Sequence, residues 1–315
     1  MAFNHYWPMY KNLEEEVIEL TKYVQFTDDQ LGVYSIHIAD LLVRCAMEIE
    51  AISKELYWEN GGTTQYDEDG KERKLFFDTD CIALINNIWG ICDKRIIVSA
   101  TKFYFEKDEN RELTPLHKSY KRGGAKWNKA YQAVKHDRRN CLKQGNIKNL
   151  LDAMGALFIL NLYYSNQVVP LGVTQTPSKD FDSRLGSELF SATVADATIN
   201  VSMGGCLTDD AMSSELKAEL RNAIYVLKYT DKSWKDINSG IESDNQNLVE
   251  QLSKSEEFIS YAKQNNLNSE SLISLVSKFL GADYISKHNA MRNFGFAFMN
   301  AQKEAVMVKK DPIYG

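Results

Sequence analysis

The sequence predicts a mainly α protein: a helical bundle followed by a mostly helical C-terminal region that contains a short β element. Apolar residues recur at helical spacing over long stretches, and only five prolines interrupt 315 residues. A composition of 44% hydrophobic and 25% charged residues is that of a folded chain. A chain of this length buries a core without disulfide or metal staples. The composition shift after Val168 divides it into a bundle over 1–168 and a second region over 169–315.

Taken in order, Glu14, Glu15 and Glu16 are expected at a helix start, as a solvated face that offsets the positive dipole end. From Tyr34 to Trp58, Ile38, Leu41, Leu42, Cys45, Ile49, Ile52 and Leu56 form a sustained helical stripe. At its edge, Arg44 and Glu48 are placed to pair with each other or to face the helix that carries residues 127–138. Asn60-Gly61-Gly62 ends that helix, and the polar run Thr63 to Lys74 reads as an exposed excursion. Helical patterns resume over 78–105, break over 107–124 and return from Lys126 to Tyr164, with Gly145-Asn146 as a break.

Residues 169–210 carry Pro170, Pro177 and short alternating runs, Glu188 to Val194 and Thr198 to Met203, which predict the β element. Helices are expected at 211–229, 245–264, 269–280 and 283–307, the third capped by Asn268 and stopped by Gly281. The run Arg292 to Met299 resembles an RNA-binding strand motif on the surface, but reads as a helix that buries Phe294 and Phe298.

Several chemistries are excluded by inspection. The chain has no GxxxxGK[ST] loop, GxGxxG, GxSxG or HExxH, and no histidine follows a glutamate by three positions. Its five cysteines form no CxxC pair and read as reduced thiols, so no metal or other cofactor is expected. The start, from Met1 to Pro8, has no basic region followed by an apolar one, and the most apolar run, Ala153 to Tyr164, is twelve residues. These predict a cytoplasmic protein with no membrane partner.

The informative segment is 117–148. It holds ten lysines and arginines and one acid, Asp137, hence +9; with a chain total of −6, the remainder carries −15. Such segregation makes a local field that attracts anions whatever the global charge. Lys118, Lys121, Arg122, Lys126, Lys135 and Lys143, interleaved with Trp127 and Tyr131, suit phosphate contact and base stacking. On a helical wheel Trp127, Tyr131 and Val134 share the expected core face, while Lys129, Gln132, His136 and Arg139 gather opposite within roughly an 80° arc. His136 beside Lys129, Arg138 and Arg139 is a candidate general base or acid with cations to clamp a phosphate. Lys121-Arg122-Gly123-Gly124 forms either a backbone anion nest or a flexible turn.

The helix around LLVRCAMEIEAISKEL (41–56), the block WNKAYQAVKHDR (127–138) and the apolar helix NLLDAMGALFILNLYY (149–164) together resemble the HEPN superfamily, in particular its branch with a YNxVKHxR-like motif. The resemblance covers about residues 30–165. It implies a bundle of four or five helices that often forms a homodimer, in a superfamily rich in metal-independent ribonucleases and in antiviral defence or toxin systems. Catalytic members carry arginine, a polar residue and then histidine after four to six residues. Here the matching positions before His136 are Lys129 and Ala130, and the arginines follow the histidine.

Two functions are therefore expected. The first is recognition of RNA or another phosphate-bearing ligand through the basic helix, with or without metal-independent cleavage. The second is a non-catalytic scaffold whose basic face docks an acidic protein partner or a second copy of the chain.

Overall fold

A computed structural model describes residues 4–118, 125–173, 177–196, 214–229, 231–265, 270–284 and 296–301. The protein is mainly helical with a few short strands. Its helices are α1 (Tyr6–Leu20), α2 (Ile36–Glu59), α3 (Ile82–Trp89), α4 (Asp108–Arg111), α5 (Lys126–His136), α6 (Arg138–Cys141), α7 (Ile147–Ser165), α8 (Pro177–Asp180), α9 (Ser214–Asn222), α10 (Asp231–Ser253), α11 (Glu256–Gln264) and α12 (Leu272–Phe279). The chain forms two compact units, one of residues 1–168, 182–227 and 299–315, the other of 169–181 and 228–298.

In the first unit the core is built on α7. From Ala153 to Tyr163 every residue of this helix is buried, on all faces, so it has no amphipathic side and needs neighbours all round. The neighbours α1, α2 and α5 supply them. All seven residues of the α2 stripe are buried, as the periodicity requires. The start of α7 leaves no orphan donor: Ile147 and Lys148 donate to the carbonyls of Val33 and Leu31 at 3.0 Å each, and Asn149 donates to the side chain of Asn146, the N-cap, at 3.0 Å. At Gly155 a Cβ would sit 2.6 Å from Ile96 Cδ1, so glycine is what lets the neighbouring sheet approach α7.

Short strands complete this unit: β1 (Phe26–Thr27), β2 (Gln65–Tyr66), β3 (Glu72–Arg73), β4 (Ile96–Val98), β5 (Phe103–Tyr104) and β6 (Glu112–Leu113). The polar excursion after α2 is a hairpin of β2 and β3, closed by a turn in which Asp67 accepts from the amides of Asp69 and Lys71. Within residues 78–105 the α-helix runs only through Trp89, with one 3-10 turn after it at Ile91–Asp93. The αL residue Gly90 stops α3, and the β-branched run at Ile96 to Val98 pairs antiparallel with β6 and with Phe190–Ala192.

The chain between α7 and α9 carries β7 (Val169–Val173), β8 (Phe190–Ala192) and β9 (Val194–Asp196); it is followed by β10 (Tyr225–Tyr229) and β11 (Phe296–Ala301). The expected β element is therefore present at 190–196, whereas Thr198 to Met203 lies outside the described residues. Two stretches expected to be helical are strands instead. Tyr225 to Leu227 pairs parallel with Val194 to Asp196, and 296–301 is extended. In both, aromatic and β-branched residues meet a partner strand that local periodicity does not reveal. Lys94 is fully buried and donates to the Arg221 carbonyl at the end of α9 at 2.7 Å, a cation at the negative end of a helix.

In the second unit α10, α11 and α12 enclose a small core of Leu248, Leu252, Leu275 and Val276, edged by Phe258, Tyr261 and Phe279. Ser271 caps α12, which Gly281 follows at φ +91°; Asn268 lies outside the described residues.

Glu14 is not a solvated residue. It lies in the middle of α1, fully buried, and its Oε1 accepts from Ser187 Oγ at 2.6 Å, Tyr10 OH at 2.9 Å and the amides of Glu188 and Leu189 at 2.9 and 3.0 Å. Lys11 pairs with its other oxygen. Burial pushes the Glu14 carboxyl up, but the hydrogen bonds from Lys11, Ser187, Leu189 and Tyr10 outweigh it and hold it below the usual glutamate value. Removing this carboxylate strands several buried donors, so Glu14→Ala is expected to cost about 3–5 kcal/mol in urea unfolding at neutral pH. Because the folded value is depressed, the stabilisation is present above the unfolded glutamate pKa of about 4.3 and is lost as pH falls through the folded value. The gap in stability between wild type and Glu14→Gln is expected to narrow over that acid range.

Candidate nucleic-acid interface

Three hydrogen bonds from its inner face fix α5. Trp127 Nε1 donates to the Pro115 carbonyl at 2.8 Å, Asn128 Nδ2 to Asp78 at 3.1 Å and Tyr131 OH to Glu50 at 3.2 Å. Trp127 and Tyr131 are each 1% exposed, and Trp127 stacks on Phe77. Neither offers a ring to a base, which corrects their expected stacking role: at helical spacing both fall on the face that α5 buries with Val134.

Burying that face turns the cations outward. Lys126, Lys129, Lys135 and His136 are exposed on α5, and Arg138, Arg139 and Lys143 are exposed beyond it. Lys118 is exposed too, while Lys121 and Arg122 lie outside the described residues. Lys135 is the tethered one: its Nζ donates to Tyr131 OH at 3.0 Å, which raises its pKa. Among the described residues none of Lys118, Lys126, Lys129, His136, Arg138, Arg139 or Lys143 makes an ion pair.

The arc drawn on a continuous helix needs correction at its end. The helix α5 stops at His136, and Asp137 adopts φ −143°, ψ 63° and caps α6 by accepting from the Asn140 amide at 3.3 Å. Arg138 and Arg139 therefore begin a separate short helix, and Arg139 does not continue the row of Lys129 and His136. The one acid of the basic segment is spent on this cap. The hydrogen-bonded partner of Arg44 is neither Glu48 nor a residue of α5: its guanidinium is paired bidentately with Glu16 of α1 at 2.8 and 2.6 Å.

Hollows adjoin α5 on both sides of its buried face. A cleft of about 700 Å³ opens between α2, the β2–β3 hairpin and α5, lined by Lys54, Trp58, Arg73, Lys74, Phe76, Gln132 and Lys135 together with Glu50, Glu72 and Asp78. A second, of about 340 Å³, is lined by His117, Lys126, Trp127, Lys148 and Asp152 among others. Burial pushes the Asp152 carboxyl up to about 6, against the pull of Lys148 and Lys126. Sequence reasoning finds neither hollow, because their linings come from separated segments. Asp152, four residues after Lys148, reads on its own as a helix ion pair.

No cluster of histidine, cysteine, aspartate and glutamate suited to a metal ion occurs among the described residues. Cys45, Cys81 and Cys92 are buried, burial pushes the Cys81 thiol up to about 12, and Cys206 lies outside the described residues. No helix among the described residues is long and apolar enough to cross a membrane. No protein-family model matches the chain, and neither a curated protein nor a solved structure is significantly similar to it.

The raised Asp152 pKa has a sign that can be checked. The folded state holds a proton that the unfolded state, with a pKa of about 3.9, releases earlier. This residue therefore makes the protein less stable as pH rises from about 4 to about 6, with no further loss above. Asp152→Asn is expected to remove that slope from urea titrations and to stabilise the protein by on the order of 1 kcal/mol at pH 7.5, with little effect below pH 4.

Proposed function

We propose that this protein binds RNA along the exposed edge formed by α5, α6 and the turn that follows. The observation that supports this reading is a set of cations at 126, 129, 135, 138, 139 and 143 that face solvent and form no ion pair among the described residues. The one acid within 117–148, Asp137, caps α6. Unpaired cations fixed on a helix are suited to displace counterions from a phosphate chain. The resemblance to the HEPN superfamily points the same way.

The reading stops at binding. Base catalysis needs an imidazole held in register with the proton it takes, and among the described residues no hydrogen bond orients His136 at the end of α5.

The test is fluorescence anisotropy of a labelled single-stranded RNA between about 50 and 200 mM salt, in EDTA. With six phosphate contacts, log K is expected to fall with log salt at a slope of roughly −4. The triple variant Lys129→Ala, Arg138→Ala, Arg139→Ala should weaken binding and flatten the slope by about 2. Binding that ignores both salt and the triple variant would refute the proposal. A stoichiometric complex with an acidic protein, in the absence of any RNA affinity, would replace it. A denaturing gel of the same mixtures should show intact RNA.

A further inference from the structure

The cleft of about 700 Å³ between α2, the β2–β3 hairpin and α5 has the size of a small-ligand site. Two large aromatic side chains line it while remaining half exposed, Trp58 at 50% and Phe76 at 58%. Phe76 is held in place for contact. Asp80 accepts from the Phe76 amide at 2.8 Å and from both guanidinium arms of Arg73 at 2.7 and 2.8 Å, and the Arg73 guanidinium lies 5.2 Å from the centroid of the Phe76 ring. The guanidinium held by this ion pair lies over the Phe76 ring, whose remaining exposed surface offers a place for a second flat group to stack.

Cations reach the same cleft from three directions: Lys54 on α2, Lys74 after the hairpin and Lys135 on α5. Among the described residues none of them makes an ion pair. The carboxylates Glu50, Glu72 and Asp78 line the cleft too, Glu50 accepting from Tyr131 and Asp78 from Asn128. The Gln132 amide adds a group able both to donate and to accept at the edge of a flat heterocycle. Exposed rings, convergent ammonium groups and an amide match a ligand with an aromatic base at one end and a phosphate at the other.

We propose that this cleft is a nucleotide site, in which the base stacks on Phe76 and Trp58 and the phosphate lies among Lys54, Lys74 and Lys135. The ligand is a free mononucleotide or one nucleotide of a bound RNA; the second source rests on the RNA reading above, since Lys135 belongs to both surfaces.

The full chain is titrated with AMP, GMP, CMP and UMP while tryptophan emission is followed, with Trp58→Phe to identify the responding ring. Inorganic phosphate and ribose 5-phosphate are run as competitors. The expected result is a saturable change that vanishes in Trp58→Phe, with affinity roughly tenfold or more weaker in Phe76→Ala and in Lys54→Gln. Both positions lie at the surface of the cleft, and circular dichroism checks that each variant is folded. If mononucleotides do not bind but RNA affinity falls by a similar factor in both variants, the site takes a nucleotide within RNA. If RNA binds with its salt slope and neither variant changes anything, the cleft proposal fails and the RNA reading stands. If mononucleotides bind and RNA does not, the RNA reading fails and the cleft stands. Competition by ribose 5-phosphate equal to that of the nucleotides would overturn the assignment, because no base would then be recognised.

Discussion

A helix with no solvent face sets the terms for the first unit. From Ala153 to Tyr163, α7 buries every side chain, and each buried leucine, isoleucine or phenylalanine is worth about 1.5–3 kcal/mol relative to exposure. The sequence can keep that gain only if partners stand on every side. The apolar stripe of α2 covers one, α1 and the inner face of α5 cover others, and the β4 sheet comes close where Gly155 leaves room. The placement of α5, and so of its cations, follows from this packing. Its aromatic face is drawn inward by the same core, and the charges occupy what is left.

Apolar burial alone permits many orientations of a helix against its neighbours. The buried Glu14 is more selective, because a carboxylate that receives a hydroxyl from α1, another from Ser187 and two amides from 188 and 189 fits only one arrangement. The turn it grips leads directly into β8, the strand that joins β4. A single side chain near the start of the chain thus fixes where a segment more than 170 residues away enters the sheet. The low folded pKa follows from that crowding of donors, and the network keeps its charge at neutral pH.

Local periodicity made much of this legible and long-range pairing hid the rest. The stripe from Ile38 to Leu56 and the twelve-residue apolar run at Ala153 are signals a single helix carries by itself, and both lie where their spacing puts them. Strands at 96–98, 225–227 and 296–301 are short apolar runs whose state depends on a partner far along the chain, so helical spacing competes on equal terms until the partner is known. Glu14 was hidden for the opposite reason: three consecutive glutamates look solvated, and nothing local marks the one that turns inward. At the site the cations were legible because charge density is a property of composition. The stacking role of Trp127 and Tyr131 failed because composition ignores direction, which the helical wheel already assigned to the core. The cleft was invisible, since Lys54, Phe76 and Lys135 meet only once the hairpin folds back.

The break at Asp137 changes what the basic segment can do. A continuous helix would keep Lys129, His136 and Arg139 on one side of a single axis, rising about 1.5 Å per residue. By ending α5 at His136 and capping a new short helix, the exposed Asp137 starts Arg138 and Arg139 on a separate helix. The cationic surface then continues around a corner. A remainder carrying −15 disfavours a polyanion elsewhere on the chain, so the +9 segment is where encounter is favoured. Charge of both signs, kept apart along the sequence, thereby makes a local field that attracts anions, and the corner turns its cations along two directions.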